Sequence, residues 1–347
     1  MKLYIIGNGF DMHHGLPTSY WHYKTFLISK YADTALDFEE FVGLHNSSMN
    51  AWNDIEASLK INYRKLLSQY ANLPFVEKEI SQKSYWNSQN VTFTHMVNEN
   101  ELQGRIRRLT DFITDFTGQY LFNWLTSIDV KKAKPDLTLQ PEDLYVTFNY
   151  LDTLETVYHI PDNHVYHIHG SIKKLQDLKK KAAAYKKEFM QEYTPIYGQK
   201  EALDNWTFFE YPAFLNAHVR QEIQFGAAVS LEKEKKKLEK WFSIDPKLSD
   251  YLAPSILDLE EFMDKSSKQL DQNFRPLTKF AWTHSAIDTI VVMGHSLNSV
   301  DDPYYKQILV PFFRDKLWVF YAYQGNTKDI TPFIESSRLE HYQIEKW

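Results

Sequence analysis

The sequence contains no cysteine among its 347 residues. Disulfide bridges, thiolate metal sites and cysteine nucleophiles are therefore excluded, and the absence fits a reducing cytoplasm. No apolar run approaches the roughly 20 residues that a membrane-spanning helix needs. The apolar stretch at the N-terminus is also too short for the core of a signal peptide. We therefore expect a cytoplasmic protein that does not associate with membranes.

The chain also has no excess of positive charge. Its 39 lysine and arginine residues stand against 45 aspartate and glutamate residues, which gives a net charge of −6. This balance argues against a nucleic-acid-binding surface over the whole chain but leaves a local basic patch open. Lysine-rich runs at 173–187 and 232–237 are typical of solvated helix faces, with a contact to nucleic acid or a partner as the alternative.

Glycine is scarce, with 11 residues, whereas aromatic residues make up 16% of the chain. The aromatic rings predict a large core and well-filled pockets. Because glycine lets the backbone turn sharply or approach a ligand closely, its few positions are informative. Five of them follow short apolar runs: Gly7, Gly9, Gly15, Gly170 and Gly294.

Short apolar runs predict five β-strands, at residues 3–6, 143–148, 163–168, 288–293 and 316–322. The first of these, residues 3–6, is an unbroken apolar run, which suits a strand buried on both faces, as in parallel sheets. Apolar residues at helical spacing predict long helices between the strands, at 19–45, 50–72, 101–129 and 256–287, the last interrupted near Pro276.

The alternation of strands and helices predicts an α/β fold with a mostly parallel, Rossmann-like sheet. About 130 residues separate the first predicted strand from the second, far more than an ordinary crossover needs. The chain must therefore carry a large helical insertion. We expect the α/β core to comprise 1–18, 140–171 and 286–347, the first insertion 19–139, and a second, largely helical insertion 172–285.

The first predicted strand ends in Gly7-Asn8-Gly9-Phe10-Asp11. A strand, a glycine turn and a helix form the arrangement whose backbone N–H groups cradle phosphates. Met12 stands where the dinucleotide fingerprint G-x-G-x-x-G has its last glycine, so a tight structural turn is the alternative. Asp11 is a candidate for accepting ribose hydroxyls or for capping the helix.

The second predicted strand ends at Asn149, the position at which open α/β sheets bind ligands. Its amide can both donate to and accept from a sugar hydroxyl or a water. The alternative is that Asn149 or Asp152 caps the following helix.

The third predicted strand carries His167 and His169 on one face, and His169 lies at its tip beside Gly170. A histidine there can act as a general base near neutral pH. The alternatives are a structural histidine, or a zinc site that pairs the two histidines with carboxylates such as Asp11 and Asp301.

The fourth predicted strand ends in Gly294-His295-Ser296-Leu297-Asn298. The segment is similar to the G-x-S-x-G nucleophile elbow, but Asn298 replaces the second glycine. We interpret it as a strand-end turn in which Gly294 and Ser296 approach a nucleotide. His13, His14 and His295 are secondary candidates, since a lone histidine is more often structural than catalytic.

Together, these segments resemble the AbiH family of bacterial abortive-infection proteins over nearly the whole chain. The resemblance also includes Gly15-Leu16-Pro17-Thr18-Ser19 and Trp52-Asn53-Asp54-Ile55-Glu56, and it extends through the Asn149, His169 and Gly294 segments. It implies a role in defence against bacteriophages.

A second, more distant resemblance is to SIR2-like domains, which have a Rossmann-type sheet and cleave the nicotinamide–ribose bond of NAD. Asn149 aligns with their asparagine and His169 with their catalytic histidine. The chain differs from them at the first loop, where Asn8, Phe10 and Asp11 stand in place of Gly-Ala-Gly and a small hydroxyl residue.

The two resemblances imply an anti-phage effector that hydrolyses NAD or a related nucleotide at its N-glycosidic bond, without a metal or resident cofactor. Asn149 would position a water or ribose hydroxyl, and His169 would take the proton. The nucleotide would be bound by Gly7, Asn8, Gly9, Asp11, Asn149, Asp152, Gly294, Ser296 and Asp301. A non-enzymatic nucleotide sensor and a metal-dependent hydrolase or nuclease are the alternatives. A phage-derived trigger and a second copy of the chain are candidate partners.

Overall fold

The structure is a computed structural model. It describes residues 1–41, 52, 55–59, 94–197, 213, 215–226, 232–233, 235–236, 239, 257–268, 270–284, 286–297 and 301–347.

A six-stranded, fully parallel sheet forms the centre of the fold. The strands lie in the order β3-β2-β1-β4-β5-β6, which is the strand order of dinucleotide-binding Rossmann folds. They comprise β1 Lys2–Ile6, β2 Leu144–Thr147, β3 Val165–His167, β4 Thr289–Met293, β5 Leu317–Ala322 and β6 Tyr342–Lys346. The predicted α/β class and all five predicted strands are confirmed, and β6 is an additional strand.

The register places the carboxyl ends of the central strands side by side. Ile6, the last residue of β1, pairs with Thr147 on one side and with Met293 on the other. The chain order reverses between β1 and β4, so the loops after these two strands meet at the switch point of the sheet. Open α/β sheets bind their ligands at such a point.

The central strand β1 is buried on both faces of the sheet, as its unbroken apolar run predicts. Leu3 and Ile5 pack on one face, whereas Tyr4 and Ile6 pack on the other.

The helices are α1 Asn8–His13, α2 Tyr20–Phe41, α3 Ile55–Ser58, α4 Thr94–Thr117, α5 Gln119–Ser127, α6 Thr153–Val157, α7 Ile172–Tyr197, α8 Leu270–Thr283, α9 Asp302–Tyr304, α10 Val310–Phe313 and α11 Ile330–Ser337, with a π-helical turn at Tyr305–Leu309 and further helical residues at 215–222 and 257–266.

The two predicted insertions share a hydrophobic core beside the sheet. Tyr23 and Trp52 of the first insertion are fully buried with Leu175 and Val219 of the second. Burying an aromatic ring removes about 150–250 Å² from water. Tyr150 and Leu151 of the α/β core belong to the same cluster, which therefore fixes the position of both insertions relative to the α/β core.

Two predicted helices differ in detail from the structure. The predicted helix 101–129 is divided at Gly118, where a Cβ would lie 2.4 Å from the Asn216 Oδ1 atom. The predicted interruption near Pro276 is wrong, because α8 continues through it. Burial of Leu277 and Ala281 against the sheet outweighs the helical hydrogen bond that proline removes. Most of the predicted helix 50–72 lies outside the described residues.

Within the described ranges, no helix combines the length and the apolar character that crossing a membrane requires.

Candidate functional site

A cavity of about 800 Å³ lies at the carboxyl edge of the sheet, at the switch point. Asn8 and Gly9 line it from the first turn of α1, directly after β1, and Gly294 lines it from the loop after β4. Tyr20 and Glu56 reach it from the first insertion. Its size lies within the range of about 300–1,000 Å³ that is typical of small-molecule sites.

Three glycines allow the two central loops to pack backbone against backbone. The N–H of Gly9 donates to the Gly294 carbonyl at 2.7 Å, and the N–H of Gly7 donates to the Met293 carbonyl at 3.0 Å. A Cβ on Gly9 would lie 2.8 Å from the Gly294 oxygen, and one on Gly7 would lie 2.5 Å from the His295 Cα. Close packing therefore accounts for these glycines, and phosphate binding by the loops stays a prediction.

Asn149 supports the loop after β1 from the interior of the protein. Its Nδ2 donates to the Gly7 carbonyl at 3.1 Å, and its side chain is buried. Asp11 lies in the same buried cluster, and burial raises the pKa of its carboxyl to about 7. Within the described part of the chain, the Oδ1 atoms of Asn149 and Asp11 have no hydrogen-bond partner.

Two further polar groups near this cluster have structural contacts. Asp152 precedes α6, and its Oδ2 accepts from the Thr156 hydroxyl at 2.8 Å. The His167 Nε2 lies 2.9 Å from Glu155 Oε1, and its Nδ1 lies 3.0 Å from the Asn149 carbonyl oxygen. The contacts of His167 thus differ from those of His169, although His167 ends β3 and His169 follows two residues later.

His169 is a buried histidine that lines the cavity. Its Nε2 lies 3.1 Å from Asp301 Oδ1. Burial, reinforced by the nearby Lys268 charge, lowers the pKa of His169 to about 4, so the ring is neutral at physiological pH. We assign the proton to Nε2 because the Asp301 carboxylate is the stronger partner of that nitrogen. Nδ1 then carries the lone pair, and it has no hydrogen-bond partner among the residues that the structure describes.

Two more side chains contact Asp301, those of His295 and Lys268. The Nε2 of His295 lies 3.3 Å from Asp301 Oδ2, and the N–H of Leu297 donates to the His295 Nδ1 at 2.9 Å. The Leu297 bond places the His295 proton on Nε2, from which it is donated to Asp301. Burial opposes ionisation of Asp301, but Lys268 and the two histidines outweigh it and hold its pKa well below the usual range.

Lys268 connects this group to the first insertion. Its Nζ lies 3.0 Å from Glu56 Oε2, 3.5 Å from Asp301 Oδ1 and 3.4 Å from His169 Nε2. Burial tends to lower the pKa of Lys268, but the two carboxylates outweigh it and raise the pKa above its usual value. Burial raises the pKa of Glu56 despite its contact with Lys268.

Sequence analysis missed Glu56 and Lys268 as site residues. Glu56 falls in a segment, 52–56, that contributed to the AbiH resemblance, but nothing in that segment indicated its role. Lys268 lies between two helices, with 212 residues separating it from Glu56. Its local sequence carries no signal, because only the packing of the two insertions brings the pair together.

The structure brings part of the predicted site together. Six of the predicted residues line the cavity: Asn8, Gly9, His169, Gly294, Ser296 and Asp301. Within the ranges described, its lining does not include four others, Gly7, Asp11, Asn149 and Asp152. Asn298 lies outside those ranges. No group of three His, Asp or Glu side chains in the described residues is placed to hold a metal ion, so the metal-dependent alternative stays a prediction.

The fold and the cavity define a Rossmann-type α/β protein in which a buried Asp301–His169 pair lies at the carboxyl edge of the sheet. Residues 3–323 match the family described as bacteriophage abortive infection AbiH. The chain therefore belongs to the AbiH family, as its motifs predict, and this membership supports a role in abortive infection. No curated protein and no solved structure matches the chain.

Proposed function

We propose that this AbiH-family protein hydrolyses the N-glycosidic bond of NAD or a related nucleotide during abortive infection. The observation that carries the proposal is His169, a neutral, buried imidazole in the cavity wall whose Nδ1 has no partner among the described residues. A general base needs a lone pair and a fixed tautomer. The Asp301 carboxylate supplies the second condition by holding the Nε2 proton.

In the proposed reaction, a water attacks the anomeric carbon of the ribose. The oxygen–carbon bond forms, the carbon–nitrogen bond breaks, and its electron pair leaves with the base. With NAD, the base departs as neutral nicotinamide. The proton of the water passes to Nδ1 of His169 and then to solvent. Asn149 positions the first loop through the Gly7 carbonyl; direct contact of Asn149 with a water or ribose hydroxyl stays a prediction.

The charges around the cavity support this type of reaction. Glycosidic cleavage passes through an oxocarbenium-like state that carries positive charge on the sugar. Near His169 the lining includes the carboxyl groups of Glu56 and Asp301, which share one buried cation, Lys268, between them. Negative charge fixed beside the reacting carbon stabilises such a state. Asp301 also stabilises the imidazolium that forms when His169 accepts the proton.

The topology gives independent support for a nucleotide. The cavity lies at the switch point of a sheet with the Rossmann strand order, where dinucleotides bind in that fold. The likeness of the Asn149, His169 and Gly294 segments to SIR2-like domains points to the same substrate class.

The test compares the nucleotide pools of cells that express wild-type protein, His169→Ala or His341→Ala, with and without phage. His341 is exposed and serves as the matched control. We expect NAD, or another nucleotide in the pool, to fall after infection with the wild type and the control but not with His169→Ala. Protection of the cells with an unchanged nucleotide pool would refute the hydrolase. Saturable binding without any product would instead support the non-enzymatic sensor.

A further inference from the structure

The cavity has a second, aromatic end that the proposed reaction does not use. Trp347 and Tyr323 line it there, together with Met12 and His13 of α1. Tyr323 is 58% exposed, and Met12 is 43% exposed. Large apolar side chains left open to solvent in a cavity wall are a common feature of ligand sites.

Backbone hydrogen bonds and ring packing hold Trp347 in position, although it follows the edge strand β6. Its backbone N–H donates to the Ala322 carbonyl at 3.0 Å, and its carbonyl accepts from the Gln324 N–H at 3.2 Å. The indole ring packs on the His13 ring, with 4.5 Å between ring centroids. His13 is itself held by Asp136, with 2.6 Å between Nε2 and Oδ2. The indole is therefore presented to the cavity in a fixed orientation.

The indole also carries an unused donor. The buried Nε1–H of Trp347 has no hydrogen-bond partner in the part of the chain that the structure describes. A buried donor of this kind usually finds a partner, because leaving it unpaired costs about 1–3 kcal/mol. The side chains of Asn326 and Asp329 line the same end of the cavity and add an amide and a carboxylate acceptor.

We propose that this end of the cavity, formed by Trp347, Tyr323 and His13, binds the purine base of the substrate away from the bond that is cleaved. A purine offers a flat ring for stacking, ring nitrogens that accept from the indole N–H, and, in adenine, an exocyclic amino group that donates to an acceptor such as Asp329. The inference rests on the proposed function, since it assigns the second half of the same substrate.

The test measures binding by calorimetry to full-length protein carrying His169→Ala, so that no ligand is consumed. The probes are NAD, ADP, which contains the purine, and nicotinamide mononucleotide, which lacks it. Trp347→Ala is expected to weaken the binding of NAD and ADP by on the order of tenfold or more, as loss of base stacking does. Binding of nicotinamide mononucleotide should not change. Trp347→Phe, which keeps a flat ring but loses the N–H, should give an intermediate loss.

Two variants control for folding. Trp282 is 74% exposed, so Trp282→Ala should bind all three probes as the parent does. Tyr323→Ala removes an exposed ring and should weaken ADP binding even if Trp347→Ala fails to fold. ADP binding that is absent, or that both cavity variants leave unchanged, would overturn the inference. Trp347-dependent ADP binding, together with an unchanged nucleotide pool in infected cells that the wild type protects, would refute the hydrolase and leave the purine subsite standing.

Discussion

Replacing Asp11 by asparagine should stabilise the protein at and above neutral pH. Asp11 is 1% exposed, and its Oδ1 has no hydrogen-bond partner in the described ranges. Burial raises the pKa of its carboxyl from 3.8 to about 7, although Thr153 and His167 oppose the rise. Asparagine has the shape of protonated aspartic acid and cannot ionise, so Asp11→Asn keeps the favourable form at every pH.

The sign of the effect follows from proton linkage. The folded chain binds the Asp11 proton more tightly than the unfolded chain, so between pH 3.8 and about 7 only the folded state keeps it. The free energy of unfolding therefore falls as the pH rises through this window, and the stabilisation is fully present only below it. At about 1.36 kcal/mol for each unit of pKa, a difference of about 3 corresponds to about 4 kcal/mol.

The assay is urea unfolding of the wild type and Asp11→Asn at pH 5 and pH 8. We expect the variant to be more stable at pH 8, by up to about 4 kcal/mol, and to lose part of the pH dependence of the wild type. Asp177→Asn, at an exposed carboxylate on α7, should leave the pH dependence unchanged. Equal destabilisation of Asp11→Asn at both pH values would refute the reasoning, since it would mean that the fold stabilises the ionised carboxylate.

Three other predictions concern the cavity and its support. Gly294→Ala should lower the free energy of unfolding by more than about 2 kcal/mol, measured by urea unfolding, because φ is +64° and a Cβ would lie 2.2 Å from a backbone nitrogen. Lys268→Met should cost about 3–5 kcal/mol in the same assay, since Glu56 and Asp301 lose their buried cation; an unchanged midpoint would contradict this role. The pH profile of nucleotide hydrolysis should be flat from pH 6 to 8, because His169, with a pKa of about 4, stays neutral; half-maximal activity near pH 6.5 would contradict the assignment.

The amino-acid sequence was sufficient to predict five of the six strands and the α/β class. Runs such as residues 290–293 are apolar without interruption, which suits a strand covered on both faces. The exposed residues of β6 alternate polar and apolar types at the sheet edge, so the same criterion missed that strand. The glycines after β1 and β4 and the histidine beyond β3 were also apparent, because turn residues directly follow the apolar runs.

Tertiary structure alone decided which of these residues share a site. β1 pairs with β2 and β4, which both lie more than 100 residues away in the sequence. This pairing places the loops after β1 and β4 in contact, while Asn149 lies behind the first loop. Lys268 meets Glu56 because two insertions bury one common hydrophobic core, a contact that no local pattern encodes. Local sequence determines which side chains must be buried, whereas long-range packing determines which buried charges meet, and here that packing positions Asp301 against His169.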